Sequence, residues 1–174
     1  MRSFFKMTRP VWVVLATALL FIGLFFLIRA LWRDPAPQAA PDITGVTADG
    51  ESLYSLSDNR GRCGTVLIFF DLSTGKARDL MLLLSETAPR YPKADVIAVS
   101  TGEGSVSEQV AAMREAGITV FPHTLFDLDG EMARIYNIHG TPITYFIDKN
   151  GLVQEAFVAS ISAKSLEKAL SAIA

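Results

Sequence analysis

Sulfur chemistry has a single candidate in this chain of 174 residues, because Cys63 is the only cysteine. Arg60 and Arg62 are close to it in sequence and would favour the thiolate form, which predicts a reactive thiol or one half of an intermolecular disulfide. The alternative interpretation is a small, half-buried residue just before a strand. One cysteine and two histidines exclude a zinc finger, an iron–sulfur cluster and an intramolecular disulfide.

Three polar side chains are further candidates for binding or acid–base chemistry. Asp71 follows an apolar run, where its carboxylate would either bind a polar partner or accept backbone N–H bonds at the start of the next helix. His139 precedes a Gly-Thr-Pro sequence and would either contact a ligand and titrate near neutrality or be an ordinary loop residue. His123 follows a proline and is expected to be structural or exposed.

Several other classes of function find no support in the sequence. It has no Gly-x-Ser-x-Gly motif, no phosphate-binding loop and no metal-ligand spacing, so we predict no metal and no cofactor. The segment Asp127–Gly130 has the beginning of a calcium loop but lacks the later ligands, which favours a simple turn. A net charge of −2 and a pI of about 5.7 argue against nucleic-acid binding, because no surplus of basic residues is available to neutralise phosphates.

The elements that would position these residues can be read from the apolar pattern of residues 43–174. It predicts an α/β domain with a mixed central sheet flanked by helices. The runs at 65–70 and 96–100 are predicted to be strands buried on both faces. Turn sequences predict hairpins at 43–54 and 143–159, and apolar spacing predicts helices at 76–89, 105–116, 131–136 and 162–173. Residues 124–126 are expected to be a short extended segment.

The N-terminal part of the chain contains a long apolar run. Nineteen residues without a charge lie between Arg9 and Arg29, and as a helix they would be about 28 Å long, close to the thickness of a bilayer core. Trp12 lies near the start of the run and Trp32 lies shortly after its end, where interfacial aromatic residues are often found. A cleaved signal peptide and a buried core helix are the alternatives. A signal peptide would have a shorter apolar region and a small-residue cleavage site after it.

The predicted organisation therefore has four parts: a basic head at residues 1–9, a transmembrane anchor at 10–32, a Pro-rich linker at 33–42 and a folded domain at 43–174. Three cations precede the span and two follow it closely, so the positive-inside rule weakly favours a cytoplasmic head. We expect the membrane bilayer to be a partner through residues 10–32. The folded domain is then extracytoplasmic, in a bacterial periplasm or on an outer surface.

The segment from Asp129 to Gly151 carries a resemblance to a known family. It combines a Tyr, an aliphatic residue, Gly-x-Pro, an apolar strand and Asp-x-x-Gly, in that order. With the anchor and the linker, this pattern resembles membrane-anchored thioredoxin-like proteins of the TlpA-like and redoxin type. The resemblance implies a thioredoxin-like fold, thiol–disulfide oxidoreductase chemistry and a cis peptide bond before Pro142. It also implies that the backbone of Thr141 pairs with an extended substrate peptide.

The resemblance does not extend to the residues that would carry out thiol–disulfide exchange. Family members have a Cys-x-x-Cys pair at the start of the helix after the central strand, where the helix N-terminus lowers the pKa of the first thiol. In this chain Thr74 and Ala77 occupy those two positions. Neither side chain forms a disulfide, so dithiol–disulfide exchange is not possible there. Thr74 is instead suited to be the N-cap of that helix.

Two functions remain open at this point. The first is a membrane-tethered, redox-inactive thioredoxin-like domain that binds or helps assemble an extracytoplasmic protein or peptide partner. Its binding surface would be formed by Asp71, His139, Thr141 and Pro142. The second is an active thiol oxidoreductase or peroxidase-like enzyme that uses Cys63.

Overall fold

The computed structural model describes Val14 and residues 17–24, 37–50 and 52–174. The chain divides into two compact units, Met1–Ala36 and Pro37–Ala174. In the first unit, the described residues are helical. The predicted head at 1–9 and most of the predicted anchor at 10–32 lie outside the described residues. Among the residues that are described, no helix has both the length and the apolar character needed to cross a bilayer.

The second unit alternates strands and helices along the chain. An N-terminal hairpin and a central strand precede the first helix, and a second hairpin precedes the last. The elements are β1 (Thr44–Val46), β2 (Leu53–Ser55), β3 (Gly64–Phe70), α1 (Gly75–Thr87), β4 (Ala94–Ser100), α2 (Val106–Glu115), β5 (His123–Phe126), α3 (Glu131–Ile135), β6 (Ile143–Ile147), β7 (Val153–Val158) and α4 (Ala163–Ile173). Two short 3-10 helices, Leu56–Asn59 and Ala88–Arg90, follow β2 and α1.

Five strands form one mixed sheet in the order β5-β4-β3-β6-β7. The strands β3, β4 and β5 run parallel, whereas β6 pairs antiparallel with both β3 and β7. The strands β1 and β2 form a separate antiparallel pair. The mixed sheet predicted from the sequence is therefore confirmed, and β3 lies at its centre.

The central strand is buried along its whole length because the sheet has an apolar core on each face. Successive side chains of a strand point to opposite faces. Val66, Ile68 and Phe70 join the core that includes residues of α1 and α4, and Leu67 and Phe69 join the core on the other face. This explains why residues 65–70 read as a continuous apolar run rather than an alternating one.

The structure differs from the sequence-based expectation at two places. The folded unit starts at Pro37, before the expected start at Ile43. Ala40 is buried and donates its N–H to the Gly151 carbonyl at 2.8 Å, so the second half of the predicted 33–42 linker belongs to the domain. In addition, the segment expected to be merely extended is β5, which pairs with β4 as a third parallel strand.

Candidate functional site

The candidate site lies where the central strand ends and helix α1 begins. Phe69 of β3 pairs with Ile143, the first residue of β6, so the loop before β6 lies beside the carboxyl end of β3. That loop contains Thr141 and Pro142, and the peptide bond between them is cis, as the resemblance implied. Pro142 is buried and Thr141 is half-buried. The strand register thus brings the proline loop and Asp71 to the same edge of the sheet.

The turn between β3 and α1 is closed by its own side chains. The carboxylate of Asp71 accepts the backbone N–H of Ser73 at 2.8 Å and the Ser73 hydroxyl at 2.7 Å. The Thr74 hydroxyl donates to the Asp71 carbonyl at 3.1 Å. The Asp71 carboxylate thus accepts hydrogen bonds at the helix entrance, which is one of its two expected roles, and the binding of a polar partner stays a prediction. Ser73, which the sequence did not single out, completes the turn.

Thr74 and Ala77 have structural roles in this arrangement. Thr74 is the N-cap of α1, and its hydroxyl oxygen accepts the backbone N–H of Ala77 at 3.3 Å. Ala77 is completely buried and belongs to the apolar core. The cap satisfies one of the N–H groups that the first turn of a helix leaves without a partner. The two positions aligned with the cysteine pair thus hold a capping hydroxyl and a core methyl group.

His139 is exposed in the loop that leads to Thr141. It is two residues before Thr141 in the chain, and its contact with a ligand stays a prediction. Among the described residues, no hydrogen bond or ion pair holds its side chain in a fixed position. It is therefore available to a ligand but is not positioned by the fold.

Cys63 lies at the opposite end of the sheet from the other candidates. It precedes β3, whereas Asp71 follows it, and a strand of seven residues is about 23 Å long. At the Cys63 end, Thr65 pairs with Ile147, the last residue of β6, so the proline loop is also far away. The structure does not bring Cys63 together with Asp71, Thr141 and Pro142.

The surroundings of Cys63 work against a thiolate. Burial and the nearby Asp95 carboxylate raise the pKa of the Cys63 thiol, and these effects outweigh the opposing influence of Arg62. The expectation that neighbouring arginines would favour the thiolate is therefore wrong in its net direction. The thiol is half-buried, which agrees with the alternative interpretation of a residue at a strand entrance.

A polar cluster that the sequence does not predict lies near Cys63. Oδ2 of Asp95 is 2.7 Å from His123 Nδ1, 2.9 Å from Asn59 Nδ2 and 3.1 Å from the Tyr54 hydroxyl. The rings of Tyr54 and His123 stack with their centroids 3.5 Å apart. His123 therefore has a structural role, which is one of the two roles expected from the sequence. Each member comes from a different element, so no short motif could have revealed the cluster.

No metal centre is found in the part of the chain that the structure describes, where no group of three or more His, Cys, Asp or Glu side chains has a suitable arrangement. The segment that resembled a calcium loop has another role. The Asp127 carboxylate accepts the backbone N–H groups of Met132 and Ala133 at 3.0 and 2.7 Å, at the start of α3.

Comparisons with known proteins agree with this fold. The sequence profile described as the AhpC/TSA family matches residues 36–156. The chain is 31% identical over 138 residues to the thiol-disulfide oxidoreductase ResA of Geobacillus kaustophilus (strain HTA426), covering 78% of this chain and 76% of that protein. It is 32% identical over 135 residues to the thioredoxin-like protein YneN of Bacillus subtilis (strain 168), covering 76% of this chain and 77% of that protein.

Solved structures share the architecture at lower sequence identity. The crystal structure of a thiol:disulfide interchange protein of the thioredoxin family from Chlorobium tepidum TLS superposes with a TM-score of 0.68. The match covers 81% of this chain and 99% of that one at 20% identity, which establishes the thioredoxin-like fold. With the matching profile and two relatives above 30% identity, the chain belongs to the AhpC/TSA family of thioredoxin-like proteins.

Proposed function

We propose that this chain is a membrane-tethered, extracytoplasmic thioredoxin-like domain that is redox-inactive at the usual site and acts as a binding or assembly module. The observation that carries the proposal is the position of the Thr141–Pro142 loop at the carboxyl end of β3, next to the start of a helix whose first turn has no sulfur. Thr74 caps α1 and Ala77 is part of the core, while Thr141 and Pro142 lie at the same edge of the sheet as Asp71.

The binding role follows from the backbone groups at this edge of the sheet. The Thr141 N–H and C=O belong to a loop rather than to the strand ladder, and they can pair with an extended peptide in the manner of an added strand. Asp71 and His139 would then offer polar contacts on either side. The relatives named thiol-disulfide oxidoreductases suggest that the peptide is a cysteine-containing segment, bound here without exchange.

Redox inactivity is tested by restoring the missing cysteines. The full-length chain in a non-ionic detergent is assayed for insulin reduction beside a variant with both Thr74→Cys and Ala77→Cys. We expect no turnover by the wild type and clear turnover by the double variant, because the helix start and the proline loop are already in place. Turnover by the wild type that disappears with Cys63→Ser would contradict the proposal and support the enzyme that uses Cys63.

Peptide binding is tested by trapping at the same helix start. In a Cys63→Ser background, a Thr74→Cys variant presents one thiol beside the proline loop. A synthetic peptide with a single activated cysteine is the probe. We expect a mixed disulfide to form much faster than with the matched Ala77→Cys variant, whose side chain is completely buried. Equal rates for the two variants would contradict a peptide site next to Thr141.

A further inference from the structure

A cavity of about 650 Å³ lies next to the candidate site, on the side away from the proline loop. It is bounded by the loop that follows β3, the end of β4 with the loop after it, the first turn of α1 and one side of α2. Its volume is in the range of small-molecule sites. It also lies outside the carboxyl ends of two neighbouring parallel strands, which is the edge where open α/β sheets bind ligands.

The wall of the cavity contains two buried polar side chains in a fixed orientation. Ser100 and Gln109 are only 4% and 8% exposed, and the Ser100 hydroxyl donates to Gln109 Oε1 at 2.6 Å. Gln109 Nε2 donates to the carbonyls of Gly102 and Gly104, each at 3.0 Å. The donors of the amide are thus occupied by backbone, and its oxygen retains a lone pair, as does the Ser100 hydroxyl oxygen.

Three oxygen acceptors converge at one point of this wall. A Cβ atom placed on Gly102 would lie 3.5 Å from Asp71 Oδ1, 3.5 Å from Gln109 Oε1 and 3.8 Å from Ser100 Oγ. Gly102 does not have a left-handed φ, so its backbone does not require a glycine. Without a side chain at Gly102, no Cβ atom lies against the three oxygens, and all three residues that carry them line the cavity.

The charges around the cavity favour a cation. Asp71, Glu103 and Glu108 contribute carboxylates, and Arg78 contributes the one guanidinium on its lining. Among the described residues, the Glu108 carboxylate accepts a hydrogen bond from the Ser105 hydroxyl, and the Asp71 carboxylate accepts from the neutral N–H and hydroxyl groups of Ser73. Within the described residues, no cation forms an ion pair with any of the three carboxylates.

We propose that this cavity binds a primary ammonium group, with Asp71 Oδ1, Gln109 Oε1 and Ser100 Oγ as its acceptors. An ammonium group has three N–H donors and no acceptor, which matches three converging oxygens that include one carboxylate. The group is carried either by a small free amine or by a lysine side chain. The proposal goes beyond the peptide contact at Thr141 and does not depend on it.

Calorimetric titration of the full-length chain in a non-ionic detergent tests this site. The probe is n-butylamine at neutral pH, with 1-butanol as the uncharged control. We expect saturable binding of the amine and none of the alcohol. A second titration uses lysine blocked at both its amino and carboxyl ends. Binding at least as tight as that of butylamine identifies lysine side chains as the source, and exclusion of the blocked lysine identifies a free amine.

Two variants and a matched control assign the binding to these oxygens. Asp71→Asn removes the charge, and Gly102→Ala places a methyl group against all three acceptors at ordinary contact distances. Each is expected to weaken butylamine binding about tenfold or more, the usual effect of losing a charged hydrogen bond. Glu115→Gln removes a carboxylate from the exposed far end of α2 and should leave binding within about twofold.

The proposal is overturned if the wild type shows no saturable binding, or if all three variants weaken it equally. It is also overturned if Asp71→Asn and Gly102→Ala bind like the wild type while their thermal unfolding is unchanged. These outcomes are independent of trapping at position 74, which reports only on the peptide site.

Discussion

At the scale of single residues, the environment decides which groups can react. Cys63 carries a thiol but lies at the end of the sheet away from the proline loop. Burial and the Asp95 carboxylate also raise the pKa of this thiol. Thr74 occupies the first position of the cysteine pair but has a hydroxyl group in place of a thiol, and this hydroxyl caps the helix. The proposed binding role requires neither residue to act as a nucleophile.

The raised thiol pKa gives a prediction for the alkylation of Cys63 by iodoacetamide. Only the thiolate reacts, so the rate should reach half of its maximum at a higher pH than for an ordinary cysteine. Asp95→Asn removes a negative charge and should lower this midpoint, whereas Arg62→Gln removes a positive charge and should raise it. The rates are measured by mass spectrometry between pH 7 and pH 10.

Alkylation of the same three proteins in denaturant is the control for this experiment. Their rates should then coincide, because the shifts come from the folded environment. A midpoint below that of a free thiol, in the folded wild type, would show that the arginines lower the thiol pKa more than burial and Asp95 raise it. It would restore Cys63 as a candidate nucleophile.

At the scale of elements, the central strand and the last helix are in such close contact that one position requires a glycine. A Cβ atom on Gly64, the first residue of β3, would overlap the carbonyl group of Ile173 at the end of α4. We predict that Gly64→Ala lowers the free energy of unfolding by about 1–3 kcal/mol, the usual cost of forcing extra atoms into a packed interior. Urea unfolding followed by circular dichroism measures it.

Gly140→Ala provides the matched control for Gly64→Ala. Its Cβ would have no neighbour within 4 Å, and its φ is not left-handed. Both substitutions have the same effect on the unfolded chain, so their difference reports the contact between β3 and α4. If the two variants were equally stable, the packing of α4 against the start of β3 would be looser than the structure indicates.

The secondary-structure elements were largely predictable from the sequence, whereas contacts between distant elements were not. Strands and helices follow from local apolar spacing, and the cap at Thr74 follows from residue type and position, so these predictions hold to within a few residues. The cis bond at Pro142 followed from the resemblance to a family, not from spacing. The Asp95 cluster joins Tyr54, Asn59 and His123 from elements far apart in the chain, and the oxygens around Gly102 come from a loop, the end of β4 and a helix. Contacts of this kind depend on the register of the sheet, which the sequence alone does not provide.

At the scale of the whole molecule, the proposed function depends on where the domain is held. A domain that binds without turnover acts on partners at the same location, so a tether raises their effective concentration where an enzyme would rely on repeated cycles. The apolar run at residues 10–28 and the basic residues before it are the part of the chain suited to that task. The folded unit from Pro37 onward has its own core on both faces of the sheet.

We predict that the full-length chain stays in the membrane pellet after extraction at alkaline pH, and that Leu20→Arg shifts it towards the soluble fraction. A charge near the centre of a span costs about 2.5–3.5 kcal/mol on insertion scales. The matched control is Leu128→Arg, which adds the same charge at a position 63% exposed on the folded unit and should not change the distribution.

An N-terminal tag retained on the membrane-bound protein would separate an uncleaved anchor from a signal peptide. Protease added to intact spheroplasts should then degrade residues 37–174, and protection of this domain would place it in the cytoplasm instead.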